Sequence, residues 1–309
     1  MKTFDIVGLG YCAVDYLCIV PNYPQIDEKV RIIDFLQQGG GITATAMATV
    51  GRLGGRASFI GKVGDDSNGQ FIISELKKDN VDTTAIVVQP DALSQYSFIV
   101  VDKPTGKRTI FWSASGIVLD PSEIRREHVV AGKVLQVDIH HAAAAVLASS
   151  WANEEGIPVV WDAGSAHEGS AELAQHTDYL IASELFAQQY LGETDPERAA
   201  STLSEGRIMG AVTQGEKGCW YATAEGVFYQ SAFDVDVVDT TGAGDVFHGA
   251  FSLALSKGWP IHEIVEFASA VAAIKCTKLG GRTGIPTFSQ VVDFLRSRSA
   301  NRFWEYIVM

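Results

Sequence analysis

Long apolar runs, cysteine pairs and surplus positive charge are all missing from this chain of 309 residues. The longest apolar candidate, "AAAAVLA" at 142–148, falls far short of the roughly 20 residues that a membrane-crossing helix needs. The opening "MKTFDIVGLGYCAVDYLCIV" carries Asp5 and Asp15 inside what a secretory leader keeps apolar, and the sequence has no Asn-x-Ser/Thr acceptor. Cys12, Cys18, Cys219 and Cys276 form no Cys-x-x-Cys pair, and His140-His141 is the only close pair of histidines, so zinc-ligand spacing is absent. Reduced thiols and a cytoplasmic location are the expectation. With 24 Lys and Arg against 37 Asp and Glu, the net charge is -13. That balance argues against nucleic acid and anionic membrane as partners, because both are held chiefly by cation contacts to phosphate. A small phosphorylated ligand at a locally positive site stays compatible with it.

Apolar residues, by contrast, are plentiful: a hydrophobic content of 47% lets a chain of this length bury a large core. Short β-branched-rich runs at 4–10, 134–139, 157–162, 177–182 and 208–215 read as buried strands. Between them, 68–80, 142–156 and 183–192 read as helices, the first with Phe71, Ile72 and Leu76 at helical spacing. This alternation predicts an α/β fold, a mostly parallel sheet with helices on both faces. Two regions break the pattern. Segments 14–38 and 94–115 read as extended, the second turning at Lys103-Pro104-Thr105-Gly106. The expectation is a single domain over 1–309 with a small β lid inserted from these two segments.

Three clusters carry chemistry. In "DVVDTTGAGDVFHGAF" (236–251) the residues after Gly244 run helical, so Gly242-Ala243-Gly244 opens a helix. Unpaired amides, a positive dipole and small residues there suit an anion. Asp245 has a plain reading as a first-turn acid that stabilises the helix; beside a bound phosphoryl group it reads instead as a base for a hydroxyl proton. Gly39-Gly40-Gly41 precede a small-residue helix, and form either a flexible turn or a backbone wall for a hydroxylated ligand. Asp15 is either a turn residue or a ligand for two sugar hydroxyls facing that wall. "GRASFIGKVGDDSNG" is no phosphate loop, since Arg56 and Val63 stand where Gly and Ser or Thr belong.

These clusters, in this order, together with "VGLGYCAVD" and "VTQGEKGCW" (212–220), resemble the ribokinase-like or PfkB family of sugar kinases along essentially the whole chain. The resemblance implies an ATP- and Mg2+-dependent transfer to a primary hydroxyl of a hexose- or ketose-like sugar. Asp245 would be the base, and Gly242, Ala243 and Gly244 the anion hole. Asp15, Gly40, Gly41 and Thr45 fall on substrate positions; Thr213, Gly215 and Lys217 fall in the nucleotide loop. Ser183 falls on the Asn-x-x-Glu motif by the nucleotide phosphates, and Ala268, Ala272 and Ala273 would leave room for adenine. Asp239 and Thr241 match positions that in some members bind a monovalent cation, K+ being the expected one.

The chain departs from the family pattern in places. Thr45 replaces a common Asn, Ser183-Glu184-Leu185-Phe186 lacks both the Asn and the Glu of that motif, and Gly284 replaces a frequent Ser in the loop completing the cation site. "FASAVAAIKCTKLGGRTGIP" with "VDVVDTTGAGDVFHGA" resembles the branch that includes sulfofructose kinases. A sulfonate wants cations or strong donors, with Lys29, Lys107, Arg108 and His140 as candidates. Tyr96, Phe98, Phe111 and Trp112 would stack on a sugar or a base, or simply pack within the lid. The alternatives to a hexose or ketose kinase are therefore a sulfofructose kinase, a nucleoside kinase, and a catalytically silent sugar- or nucleotide-binding regulator. Exposed lid strand edges predict a homodimer through the lids.

Overall fold

The computed structural model describes residues 2–113 and 116–307. Its main sheet runs, in spatial order, Gly226–Gln230, Cys219–Thr223, Met209–Thr213, Tyr179–Ser183, Val159–Ala163, Gly132–Val137, Phe4–Leu9, Ala57–Gly64 and Val81–Asp82. Ile86–Gln89 pairs alongside Ala57–Gly64. All neighbours are parallel except at one edge, where Met209–Thr213, Cys219–Thr223 and Gly226–Gln230 meet antiparallel.

The central strands are buried without interruption, every residue of Ala57–Gly64 and Val159–Ala163 included. That is the pattern of strands covered on both faces. Successive side chains accordingly enter opposite cores. Ile6, Val160 and Ile181 join the cluster under helices Ile42–Arg52, Ala243–Ser256 and Ile261–Lys275. Val7, Trp161 and Leu180 join the cluster under Ala142–Glu154, Glu184–Leu191 and Pro196–Ser204. Ala144, Ala148 and Ala152 recur every four residues on the buried side of Ala142–Glu154, which lets that helix lie close to the sheet. Among the described residues no helix is long and apolar enough to cross a membrane.

The segments read as extended form a second, four-stranded sheet ordered Asp34–Gly40, Ala13–Val20, Tyr96–Asp102, Arg108–Ser113. Residues 114 and 115 of the 94–115 segment lie outside the described residues. Ala13–Val20 pairs antiparallel with Asp34–Gly40 and parallel with Tyr96–Asp102. The 103–106 turn closes the last hairpin, with the Gly106 amide donating to the Asp102 carbonyl at 2.8 Å. Leu17, Ile99 and Val101 form a small core of their own on one face of this sheet. Phe98, Phe111 and Trp112 stay exposed.

Candidate functional site

Because the main strands run parallel, the residues at their C-terminal ends emerge along one edge, where open α/β sheets hold ligands. Tyr11, Asp138, Asp162, Ser183 and Thr213 all lie there. Helix Ala243–Ser256 begins at the same edge, capped by Gly242 in the left-handed region at φ 72°. The Ala243 amide donates to the Thr240 carbonyl at 3.2 Å, and the first helical bond runs from the Val246 amide to the Gly242 carbonyl at 3.0 Å. Among the described residues the amides of Gly244 and Asp245 have no acceptor. A Cβ added at Gly244 would meet nothing within 4 Å, so the side-chain face of that residue is open.

Acids crowd this helix start. Burial, and then the neighbouring Asp162 carboxylate, hold the half-buried Asp245 well above the usual carboxylate range. Burial and the charge of Asp138 push Asp162 up to about 8. His248 donates through Nδ1 to the Gly244 carbonyl at 2.7 Å and sits 3.0 Å from Asp162 Oδ2. Asp138 goes the other way. Burial alone would raise it, but His140 and the Thr43 hydroxyl outweigh that and hold it below the usual range. Its Oδ2 accepts from the Tyr11 amide at 2.8 Å and Thr43 Oγ1 at 2.7 Å, and its Oδ1 from the His140 amide at 2.9 Å. Asp138 thus ties the first strand, the small-residue helix and the 138–141 loop together.

The residues expected to form a substrate wall come together on the smaller sheet, where Ala13–Val20 and Asp34–Gly40 are paired neighbours. Asp15, on Ala13–Val20, points its carboxylate at Gly40, where an added Cβ would fall 2.2 Å from Oδ2. Burial raises the Asp15 pKa to about 6 against the opposing pull of Arg282 and Ser97. Gly41, at φ 89°, passes so close to Cys12 that a Cβ would lie 2.4 Å from that residue's Cα; only glycine fits this turn. Thr45 accepts from Arg282 Nε at 3.2 Å, and Arg282 Nη2 reaches the Gly40 carbonyl at 3.1 Å. The fully buried Arg282 guanidinium therefore fixes the glycine wall from behind. Arg108 reaches out of the smaller sheet to donate to Thr240 Oγ1 at 2.7 Å, at the door of the helix start. Of the other cations considered for a sulfonate, Lys29 and Lys107 are exposed, and His140 stacks on Tyr11 with its rings 4.5 Å apart.

Of the residues expected to bind nucleotide, Ser183 and Thr213 are direct neighbours across two parallel strands. Thr213 Oγ1 donates to the Ala182 carbonyl at 3.2 Å, and Gly215 and Lys217 form the tight turn that follows. Ser183 caps helix Glu184–Leu191, accepting from the Phe186 amide at 3.0 Å. Phe186 itself is fully buried, edge-on to Trp161 and stacked on Tyr190. The position that resembles the family's Glu is thus a core position here. Ala272 is half-buried on Ile261–Lys275, whereas Ala268 belongs to the core and cannot line an adenine site.

A K+ ion at Asp239 and Thr241 does not fit the residues present. Asp239 Oδ1 accepts from the Thr241 amide at 2.9 Å and hydroxyl at 2.7 Å, and Oδ2 from the Gly280 amide at 2.8 Å. Its carbonyl oxygen accepts from the ammonium of Lys275 at 2.9 Å. Each Asp239 oxygen that a cation would use already has a donor, and one of those donors is itself an ammonium.

Residues 4–288 match the description "pfkB family carbohydrate kinase", which spans most of the chain and both glycine-rich clusters. The chain belongs to the pfkB family of carbohydrate kinases. This pfkB sugar kinase is similar to probable fructokinase-5 of Arabidopsis thaliana, 26% identical over 95% of this chain and 98% of that one. The crystal structure of a putative ribokinase from Agrobacterium tumefaciens is 31% identical, with a TM-score of 0.89 over 95% of this chain and 98% of that chain. A putative ribokinase II from Escherichia coli, in complex with ATP and Mg2+, gives a TM-score of 0.82 over 96% of this chain and 100% of that chain. At 22% identity that last likeness concerns the fold.

Sequence reasoning missed Asp138, Asp162, Arg282, Lys275 and His248. For the two acids a signal existed: each closes or follows a parallel-strand run, where ligands gather. For His248, Lys275 and Arg282 it did not, because their roles depend on partners 36 to 244 residues away.

Proposed function

We propose that this kinase transfers the γ-phosphoryl group of MgATP to a primary hydroxyl of a hexose- or ketose-like sugar. The open helix start carries this reading: two amides without acceptors among the described residues, clear space at the side-chain face of Gly244, and the Asp245 carboxylate beside them. Those amides and the helix dipole take the charge of the moving phosphoryl group, with Gly242 and Ala243 shaping the turn. Asp245 accepts the hydroxyl proton, the sugar oxygen bonds to the γ-phosphorus, and the bond from that phosphorus to the β-phosphate oxygen breaks, releasing ADP. The sugar lies between Asp15 and the Gly40–Gly41 turn, with Thr45 behind it. ATP lies along Ser183, Thr213, Gly215, Lys217 and Ala272.

Mg2+ arrives with the triphosphate. Among the described residues no three His, Cys, Asp or Glu side chains gather to hold a metal, and Phe186 takes the place of a carboxylate, which supports a largely phosphate-bound ion. The ATP and Mg2+ in the Escherichia coli structure support the same cosubstrate. The smaller sheet acts as the lid, with the Arg108–Thr240 bond as its latch. Its outer strand, Arg108–Ser113, is open along its length and carries exposed Phe111 and Trp112, which supports a homodimer through the lids. The four free thiols support a reducing compartment, the cytoplasm.

The test is ADP release with MgATP and a panel of hexoses, ketoses, sugar acids, sulfofructose and nucleosides. For the responding sugar, Asp245→Asn should keep sugar binding and lose about 10²- to 10⁴-fold in turnover. Unchanged phosphorylation by that variant refutes the assignment of the base. A monomer by light scattering at micromolar concentration refutes the dimer.

A further inference from the structure

Lys275 stands out among the buried groups that the reaction does not use. It ends helix Ile261–Lys275, is 0% exposed, and has no carboxylate within ion-pair distance among the described residues. A buried ammonium without an ion pair is costly, so its placement needs a reason. Its Nζ donates to the Asp239 carbonyl. The same residue's amide, and that of Val238, donate to the Cys276 carbonyl at 3.1 and 2.8 Å, while Gly280 binds Asp239 Oδ2. Four bonds thus tie the end of this helix and the loop after it to the turn that opens helix Ala243–Ser256. Only the one from Lys275 brings a positive charge.

Gly284 completes the arrangement. The loop returns over Lys275 so closely that a Cβ at 284 would fall 2.2 Å from the Lys275 carbonyl oxygen. No side chain fits there, so the frequent Ser hydroxyl of that loop is absent where the lysine ammonium is present. One oxygen ligand is lost and one fixed positive charge is gained at the same turn.

We propose that the Lys275 ammonium is a tethered cation that does, for the turn 239–244, what an exchangeable monovalent cation would otherwise do, leaving this kinase independent of K+. Lys275 is a positioning residue. It holds the Asp239 carbonyl, and through the turn keeps the amides of Gly244 and Asp245 aimed at the phosphoryl group. The inference rests on the kinase reading above only for its turnover arm.

The experiment compares wild type, Lys275→Ala and Lys275→Met in choline, sodium, potassium and ammonium chloride at constant ionic strength. Two readouts are taken: turnover with MgATP and the responding sugar, and the denaturation midpoint with and without MgADP. Wild type should turn over equally in choline and potassium, within about twofold, and show no potassium-specific midpoint shift. The variants should lose about tenfold or more in kcat, with little change in sugar KM, and regain activity and midpoint in potassium or ammonium but not in choline. A wild type that needs potassium, or whose midpoint rises with it, overturns the proposal. So does a folded variant that turns over at the wild-type rate in choline. Lys275→Met keeps the apolar stem and serves where the alanine variant fails to fold. The midpoint arm needs no sugar, so a wrong acceptor is distinguished from a wrong role for Lys275.

Discussion

One added methyl group at Gly40 tests where the sugar binds. A Cβ there falls 2.2 Å from Asp15 Oδ2 and 2.3 Å from its Cγ, more than about 1 Å inside normal contact distance. Asp15 cannot retreat with its backbone, because its strand is paired on both sides, opposite Gln38 and Ser97. The carboxylate must rotate instead, away from the Ser97 hydroxyl that now holds it. Overpacking of this kind costs about 1–3 kcal/mol, and a lost hydrogen bond to a charged group about 1.5–3 kcal/mol. If about 2 kcal/mol of this falls on sugar binding, KM for the sugar rises ~30-fold. Asp245 and the nucleotide turn are untouched, so kcat should stay within about threefold and KM for ATP should not move. The assay is coupled ADP release, varying sugar at saturating MgATP and then the reverse. A Gly40→Ala enzyme with the wild-type sugar KM would refute the placement of the sugar against Asp15. A loss confined to kcat would move Gly40 from binding to the chemical step.

Acid pH should act on the same carboxylate. With its pKa raised to about 6, Asp15 is protonated in the free enzyme below that pH and can no longer accept two sugar hydroxyls. For Asp15, kcat/KM should therefore fall as pH drops through about 6, and a profile flat to pH 5 would count against its role. Asp138, held low, contributes stability that is present at neutral pH and lost on acidification towards its folded pKa. Asp138→Ala strands donors from Tyr11, Thr43 and His140 and should cost about 3 kcal/mol in urea unfolding; a cost under about 1 kcal/mol would contradict its role as a tie. Phe186→Glu, which restores the family's residue type, should fail to restore its function. It places a charge between Trp161 and Tyr190 and should destabilise by about 4 kcal/mol or more, read from the same unfolding curves.

Much of this protein was legible in the order of its residues. The β-branched runs before 10, 139, 162, 182 and 213 became parallel strands, because a strand covered on both faces must be apolar throughout and must stop at polar or small residues. The 236–251 cluster announced a helix start by Gly-Ala-Gly followed by apolar spacing, and both extended segments joined one smaller sheet. The strand Ala57–Gly64 was harder to see. Its Gly and Lys residues come near a phosphate-loop pattern that Arg56 and Val63 exclude, and all eight of its residues are buried in the sheet.

Local signals of this kind set the fold class, the Gly-Ala-Gly helix start and the run of glycines at 39–41, since each depends on neighbours within a few residues. Tertiary structure alone decided what stands behind them. Arg282 backs a wall 242 residues away in sequence, Phe186 turns a motif position into core, and Lys275 lends a charge to a turn 36 residues earlier. Spacing along the chain carries no trace of such pairings, because burial and charge act through space and are fixed only when distant segments pack together.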